Sequence, residues 1–206
     1  MRKRKLKRVH IFIVFLLLIL LILLVAVFAI ILRLRGSVAL KPGKLSLPAR
    51  EVTAYRQDDA AWADDLLGAS SYTMRSSGCL VSCIASAVSM ETGTAVTPGS
   101  LNAIFSEKGV YDSEGNIQWA AVNALEGFTA DVYQEVSQSD LDTCLAAGQY
   151  PIVRVRMHGL GSFHYVLVVG VRDGAYLCMD PLENSLTKLS CYLDRVYAVR
   201  VVSCQL

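Results

Sequence analysis

Histidine is scarce in this chain. Its 206 residues hold three, His10, His158 and His164, and no cluster of histidine, cysteine and carboxylate falls at zinc-ligand spacing, so neither a metal nor any other cofactor is expected. Acidic side chains are missing altogether from residues 1–36, which carry eight Lys/Arg, whereas residues 37–206 carry 12 basic against 18 acidic residues, a net charge of −6. The later part therefore lacks a clustered basic face, and nucleic acid is not an expected partner. No internal repeat is found, and an apolar fraction of 53% excludes a disordered, low-complexity chain. The 170 residues after position 36 suffice for one domain with a real core and exclude two full-sized catalytic domains.

What is abundant is local hydrophobicity. Ile11 to Leu32 is an unbroken run of 22 apolar residues. As a helix at about 1.5 Å per residue it spans about 33 Å, enough to cross a hydrocarbon core of about 30 Å. The apolar core of a cleaved signal peptide is usually only about 7–15 residues long. Ser37-Val38-Ala39 resembles a cleavage site, but Arg33 and Arg35 stand between it and the apolar run, which favours an uncleaved anchor. Arg2, Lys3, Arg4, Lys5, Lys7 and Arg8 precede the span, and Arg33, Arg35, Lys41 and Lys44 follow it. That bias implies a cytoplasmic N-terminus and an extracytoplasmic domain. The expected organisation is a basic tail over 1–10, a transmembrane anchor over 11–32, a juxtamembrane linker over 33–50 containing Pro42, Gly43 and Pro48, and a folded domain over 51–206.

Within that domain, Leu80 to Met90 is apolar or small at nearly every position, which predicts a helix buried on most sides and ended by Gly93 in a left-handed cap. Cys79 is its first residue or its N-cap. Thr97-Pro98 predicts a helix start with Leu101, Ile104 and Phe105 as the apolar stripe. Asp112 to Asn116 reads as a turn before a short helix around Trp119 to Leu125, and Ser139 with Asp142 resembles a capping box opening a helix that stops at Gly148. After Pro151 the period changes to two. Val153, Val155 and Met157 alternate with Arg154 and Arg156, and Phe163–Val171, Ala175–Asp180 and Arg195–Val202 continue as strands. Helices followed by an antiparallel sheet predict an α+β domain. Six cysteines can pair in many ways, but reserving one for chemistry leaves an odd number; mostly buried thiols are expected, with a bridge among Cys178, Cys191 and Cys204 left open.

Three segments carry candidate chemistry. Cysteine at a helix N-terminus is favoured as a nucleophile because orphan N–H groups and the helix dipole stabilise the thiolate, although free cysteine is also a common core residue. Gly78 before it would let a substrate backbone approach. His164 opens an apolar strand, where a histidine satisfied by a carbonyl is the plainer reading. Its hairpin partner matters. If Arg172-Asp173-Gly174 is a three-residue loop, Val171 pairs with Ala175 and Asp180 faces Val166, so Asp180 and His164 share a face as diagonal neighbours about 7–8 Å apart. A two-residue loop would put them on opposite faces. Asp180-Pro181 is equally readable as a turn initiator. Gln57 is either a loop residue or, through its amide, an oxyanion donor beside the Cys79 N–H. His158 is either a cleft residue or an exposed loop histidine.

The ordered set Gln57-Asp58-Asp59 with Trp62, Ser77-Gly78-Cys79, Thr97-Pro98, Trp119, His164 leading a valine-rich strand to Gly170, and Asp180-Pro181 resembles the papain-like cysteine peptidases related to bacteriocin leader-processing enzymes, family thirty-nine. The resemblance covers about residues 51–202. It implies a papain-like α+β fold with Cys79 as nucleophile, His164 as general base and acid, Asp180 orienting the imidazole and Gln57 as oxyanion donor. Two features depart from the pattern. Leu80 stands where many relatives have a small residue, and Gln57 lies 22 residues before Cys79, farther than in the leader-processing enzymes. No transporter or ATP-binding region is present, so leader export is not expected.

The expectation is a cell-surface, membrane-anchored monomer that hydrolyses an amide in a peptide or cell-wall peptide through a thioester. The alternatives are a binding or assembly module on a retired peptidase fold, and acyl transfer to an amine.

Overall fold

The computed structural model describes residues 2–43, 47 and 51–205; Lys44, Pro48 and Arg50, part of the expected linker, lie outside them. The chain divides into two units, Met1–Gly36 and Ser37–Leu206.

The first unit is helix α1 (Arg2–Leu34). Its stretch Phe12–Leu34 is the one helix among the described residues long and apolar enough to cross a membrane, and none of that stretch is buried. By length and composition this stretch is a candidate membrane span.

The second unit is mixed α and β. In chain order it contains β1 (Val38–Ala39), α2 (Met74–Ser77), α3 (Cys79–Thr92), α4 (Pro98–Glu107), α5 (Trp119–Val122), β2 (Phe128–Val132), α6 (Gln138–Ala146), β3 (Ile152–Arg156), β4 (Phe163–Arg172), β5 (Ala175–Met179), β6 (Thr187–Lys188), β7 (Arg195–Val196) and β8 (Ala198–Cys204). Six strands form one sheet in the order β2-β8-β3-β4-β5-β6, every pairing antiparallel. Strand β2 precedes α6, so the helices-then-sheet order holds only in outline.

The sheet is buried on both faces, and the period of two sorts its residues. Ile152, Leu167, Leu177, Met179 and Val202 join Val81, Ile84, Val88, Leu101 and Phe105 of α3 and α4 in one apolar cluster. Val153, Val155, Val166, Val168 and Val199 join Leu141 and Leu145 of α6, with Leu40 and Tyr192, in the other. Each fully buried large side chain of this kind contributes about 1.5–3 kcal/mol. Helix α3 carries nine buried residues from Val81 to Ser89 and ends at Gly93, whose φ of 69° is the left-handed cap its position demands.

Several local expectations are corrected. The segment after Ser37 is built into the fold: β1 pairs with β7, Leu40 is buried, and the Gly43 N–H donates to Asp142. Helix α6 is capped by Ser137, whose side chain accepts from the Asp140 N–H, and not by Ser139. Asp142 instead accepts from Gly43 and from the Tyr176 hydroxyl. Strand β3 stops at Arg156, and Met157 begins a 3-10 turn over Met157–Gly159. The helix at Trp119 ends at Val122, not Leu125, and Ile104 is exposed while Leu101 and Phe105 are buried. All six cysteines are free, so the bridge among Cys178, Cys191 and Cys204 is not formed.

Candidate functional site

Cys79 is the first residue of α3, and α2 with its capping box on Thr73 runs directly into it through Gly78. The glycine is required by packing: a Cβ there would meet the Met74 carbonyl oxygen at 2.5 Å. That space is filled by the protein's own chain, so Gly78 does not serve substrate approach.

The hairpin that carries His164 and Asp180 corrects the expected turn. Arg172 pairs with Ala175, leaving a two-residue turn at Asp173 and Gly174, with φ of 54° and 69° as a type I′ turn requires. By itself this would place Asp180 and His164 on opposite faces. A β-bulge at Val169, between the pairs Gly170–Leu177 and Val168–Cys178, shifts the register by one residue. Leu167 then faces Met179, so continuing the ladder sets Asp180 opposite Val166 and diagonal to His164. The expected juxtaposition is reached by two deviations that cancel.

The side chains meet. His164 Nε2 lies 2.7 Å from Asp180 Oδ1, and both residues are buried, at 3% and 6% exposure. Asp180 Oδ1 also accepts from the Leu182 N–H at 2.8 Å, and Oδ2 accepts from the Tyr192 hydroxyl. Burial opposes ionisation of this carboxyl, but the bonds from His164, Tyr192 and Leu182 outweigh it and hold its pKa below the ordinary value. Burial likewise opposes protonation of His164; the Asp180 carboxylate, with Cys79 as a further hydrogen-bonding and charge partner, reverses this and raises its pKa to about 9. With Nε2 committed to Asp180, Nδ1 is the ring nitrogen left for Cys79. Asp180 also opens a turn, its carbonyl accepting from the Glu183 N–H, so both readings of Asp180-Pro181 apply.

Gln57 is 4% exposed and sits between the two halves. Its N–H donates to the Pro181 carbonyl just after Asp180, and its Nε2 donates at 2.7 Å to the Arg75 carbonyl in α2, just before Cys79. The loop is held by Trp62 Nε1 donating to Arg56 O and by Arg56 bridging Asp58, Leu182 and Asn184. One Gln57 amide hydrogen is thus committed to Arg75, leaving the second for another acceptor.

A groove of about 360 Å³ opens beside Cys79, walled by Ser77, Leu80, Tyr111, Trp119 and Tyr165 among others, with Glu114 at its lining. His158 is exposed, has a φ of 50°, and does not line it. Tyr192 escaped sequence reasoning because it lies on a 3-10 turn over Leu189–Tyr192, where no hydrophobic period signals a partner for Asp180. Of the remaining thiols, Cys83 and Cys178 are buried and burial pushes both pKa values up, which keeps them protonated and inert.

No protein-family model matches the chain, and no curated protein matches it. The reading of the site therefore rests on geometry. A thiol at a helix start, an imidazole beside it and a buried carboxylate fixing that imidazole form the arrangement that nucleophilic acyl transfer requires.

Proposed function

We propose that this protein is a membrane-anchored cysteine peptidase of papain-like fold that hydrolyses a peptide or cell-wall peptide bond. The observation that carries the reading is the buried His164–Asp180 bond at 2.7 Å on a ring whose other partner is Cys79 at the start of α3.

The chemistry follows from those positions. His164 takes the thiol proton, and Cys79 sulfur attacks the carbonyl carbon. The oxyanion so formed is stabilised by the Cys79 backbone N–H and the second amide hydrogen of Gln57. The C–N bond breaks as His164 protonates the leaving amine. Water, deprotonated by His164, then attacks the thioester, the C–S bond breaks, and the acid product leaves with the thiol restored. Asp180 stays ionised and holds the ring. The positive charges before the apolar span 11–32 outnumber those that closely follow it, which supports a cytoplasmic N-terminus and an external catalytic domain.

The test is incubation of the full-length chain, in detergent, with a mixed peptide pool and with peptidoglycan fragments, read by mass spectrometry beside Cys79→Ser. New termini formed by the parent and absent with Cys79→Ser support hydrolysis; no cleavage of either pool contradicts it. Leu80 in the groove wall favours a second reading, a binding module that retains the fold without turnover. Retention of peptides by Cys79→Ser and parent alike, uncleaved, would select that reading.

A further inference from the structure

A pair of arginines backs the same groove. Arg154 lies opposite Tyr165 across β3 and β4, and Ile152 lies opposite Arg200 across β3 and β8, so Arg154 and Arg200 are diagonal neighbours on the face that carries Tyr165. The Arg200 guanidinium stands 5.5 Å from the Trp119 ring centre, and Arg154 stands 4.4 Å from that of Phe163. Trp119 and Tyr165 are walls of the groove that holds Cys79. Arg200 therefore stands over one wall of the groove, Trp119, and Arg154 faces another, Tyr165, across the strand pair, although neither arginine is itself a lining residue.

Tyr165 interacts with both guanidinium groups, but neither has a carboxylate counter-ion among the described residues. Among the described residues no carboxylate comes within ion-pair distance of either guanidinium, and the Nε atom of each is buried without a hydrogen-bond partner. Among the described residues, the Arg200 terminal nitrogens donate to the Val199 carbonyl, at 2.7 Å. Burial lowers the Arg200 pKa; Tyr165 opposes this, and the neighbouring Arg154 charge acts in the same sense as burial. Adjacent like charges, partly desolvated, are unfavourable unless an anion joins them. This occurs in a unit whose net charge is −6, where acids to pair with them were plentiful. Guanidinium forks match carboxylates, and the stacked aromatic rings hold the forks in place.

We infer that Arg154 and Arg200 form a carboxylate-binding subsite on the Trp119–Tyr165 side of the groove that holds Cys79, so that the preferred substrate is a peptide carrying a carboxylate near the scissile bond. The inference rests on the peptidase reading for its function, but the subsite itself is tested without turnover. Two alkylating agents of nearly equal size, anionic iodoacetate and neutral iodoacetamide, are reacted with the full-length chain in detergent, and labelling of Cys79 is compared with that of exposed Cys191. The expected result is an iodoacetate-to-iodoacetamide rate ratio at Cys79 above that at Cys191, falling about fivefold in Arg154→Gln or Arg200→Gln while the iodoacetamide rate holds. A ratio unchanged in the two variants overturns the subsite and leaves the peptidase reading standing. Slow iodoacetamide labelling that is indifferent to His164→Ala overturns the peptidase reading, and the ratio still reports on the arginines. Should the glutamine variants misfold, competition in the parent decides. Acetyl-Ala-Ala with a free C-terminus and acetyl-Ala-Glu amide should each slow iodoacetate labelling more than acetyl-Ala-Gln amide does, the stronger of the two telling a terminal from a side-chain carboxylate. Equal protection by all three overturns the inference.

Discussion

The helix side and the hairpin side of the site are built by different means. Cys79 is placed locally: a capped turn, a glycine forced by Met74, and a helix buried from Val81 onward fix the thiol within a dozen residues of sequence. His164 and Asp180 are placed by register, which depends on a turn at Asp173-Gly174 and on a bulge at Val169, some distance from either residue. A locally encoded group tolerates change elsewhere, whereas a register-encoded pair is sensitive to single-residue shifts far from the chemistry. Gln57 joins the two, bonding to Pro181 on one side and Arg75 on the other.

The sharpest break in this comparison comes from removing one member of each side. Cys79→Ser and His164→Ala should each lower kcat by about 10⁴-fold or more, and the double variant should lose little beyond that, since the residues act as a unit. Additive losses in a double-variant cycle would separate the two sides. Asp180→Asn should cost about 10²–10⁴-fold in kcat with KM little changed. Next comes the connection: if Gln57 acts on the oxyanion and not on the thiol, as proposed, Gln57→Ala should lower kcat about 10²–10³-fold while leaving the alkylation rate of Cys79 intact.

Proton linkage sharpens the hairpin side. The folded pKa of His164 is raised to about 9, so the stability it contributes is full below its ordinary value and is lost as pH rises through about 9. Asp180 is depressed, so its share is present above the ordinary carboxylate pKa and is lost on acidification. These are two descriptions of one bond. Denaturation midpoints across pH should show a plateau between those limits that is flattened in His164→Ala, and, under the proposed mechanism, kcat/KM should fall above about pH 9 as the imidazolium disappears. Smaller effects follow. Tyr192→Phe removes a donor to the Asp180 carboxylate and should cost about 1.5–3 kcal/mol in chemical denaturation. Gly174→Val forces a branched residue to a φ of 69° and should cost about 1–2 kcal/mol in chemical denaturation.

The same division explains what was legible in the sequence. The apolar helix α1, the start of α3 at Cys79, its glycine cap at Gly93 and the Thr97-Pro98 helix start all follow from local pattern, and the structure has each of them. The antiparallel sheet was legible in outline from the period of two after Pro151. The turn at Asp173-Gly174 was read one residue too long, and the bulge at Val169 carries no signal in a run of valines, so the nearness of His164 and Asp180 was reached through a loop that does not exist. Tyr192 as a donor to Asp180 and Arg75 as the acceptor for Gln57 depend on contacts between segments distant in sequence, which no periodicity encodes. Likewise the turns at 33–50 signalled a linker, while the pairing of Val38 with Val196 and the burial of Leu40 beside it depend on a strand that arrives about 160 residues later.

The most direct test of a coupled Cys79–His164–Asp180 unit is the rate of iodoacetamide labelling at Cys79 in the full-length chain at about pH 6, where ordinary thiols react slowly. The account predicts that Cys79 labels about tenfold or more faster than exposed Cys191 and that this advantage disappears in His164→Ala and shrinks in Asp180→Asn. Labelling of Cys79 at the rate of Cys191, or an advantage that survives the loss of His164, would contradict it.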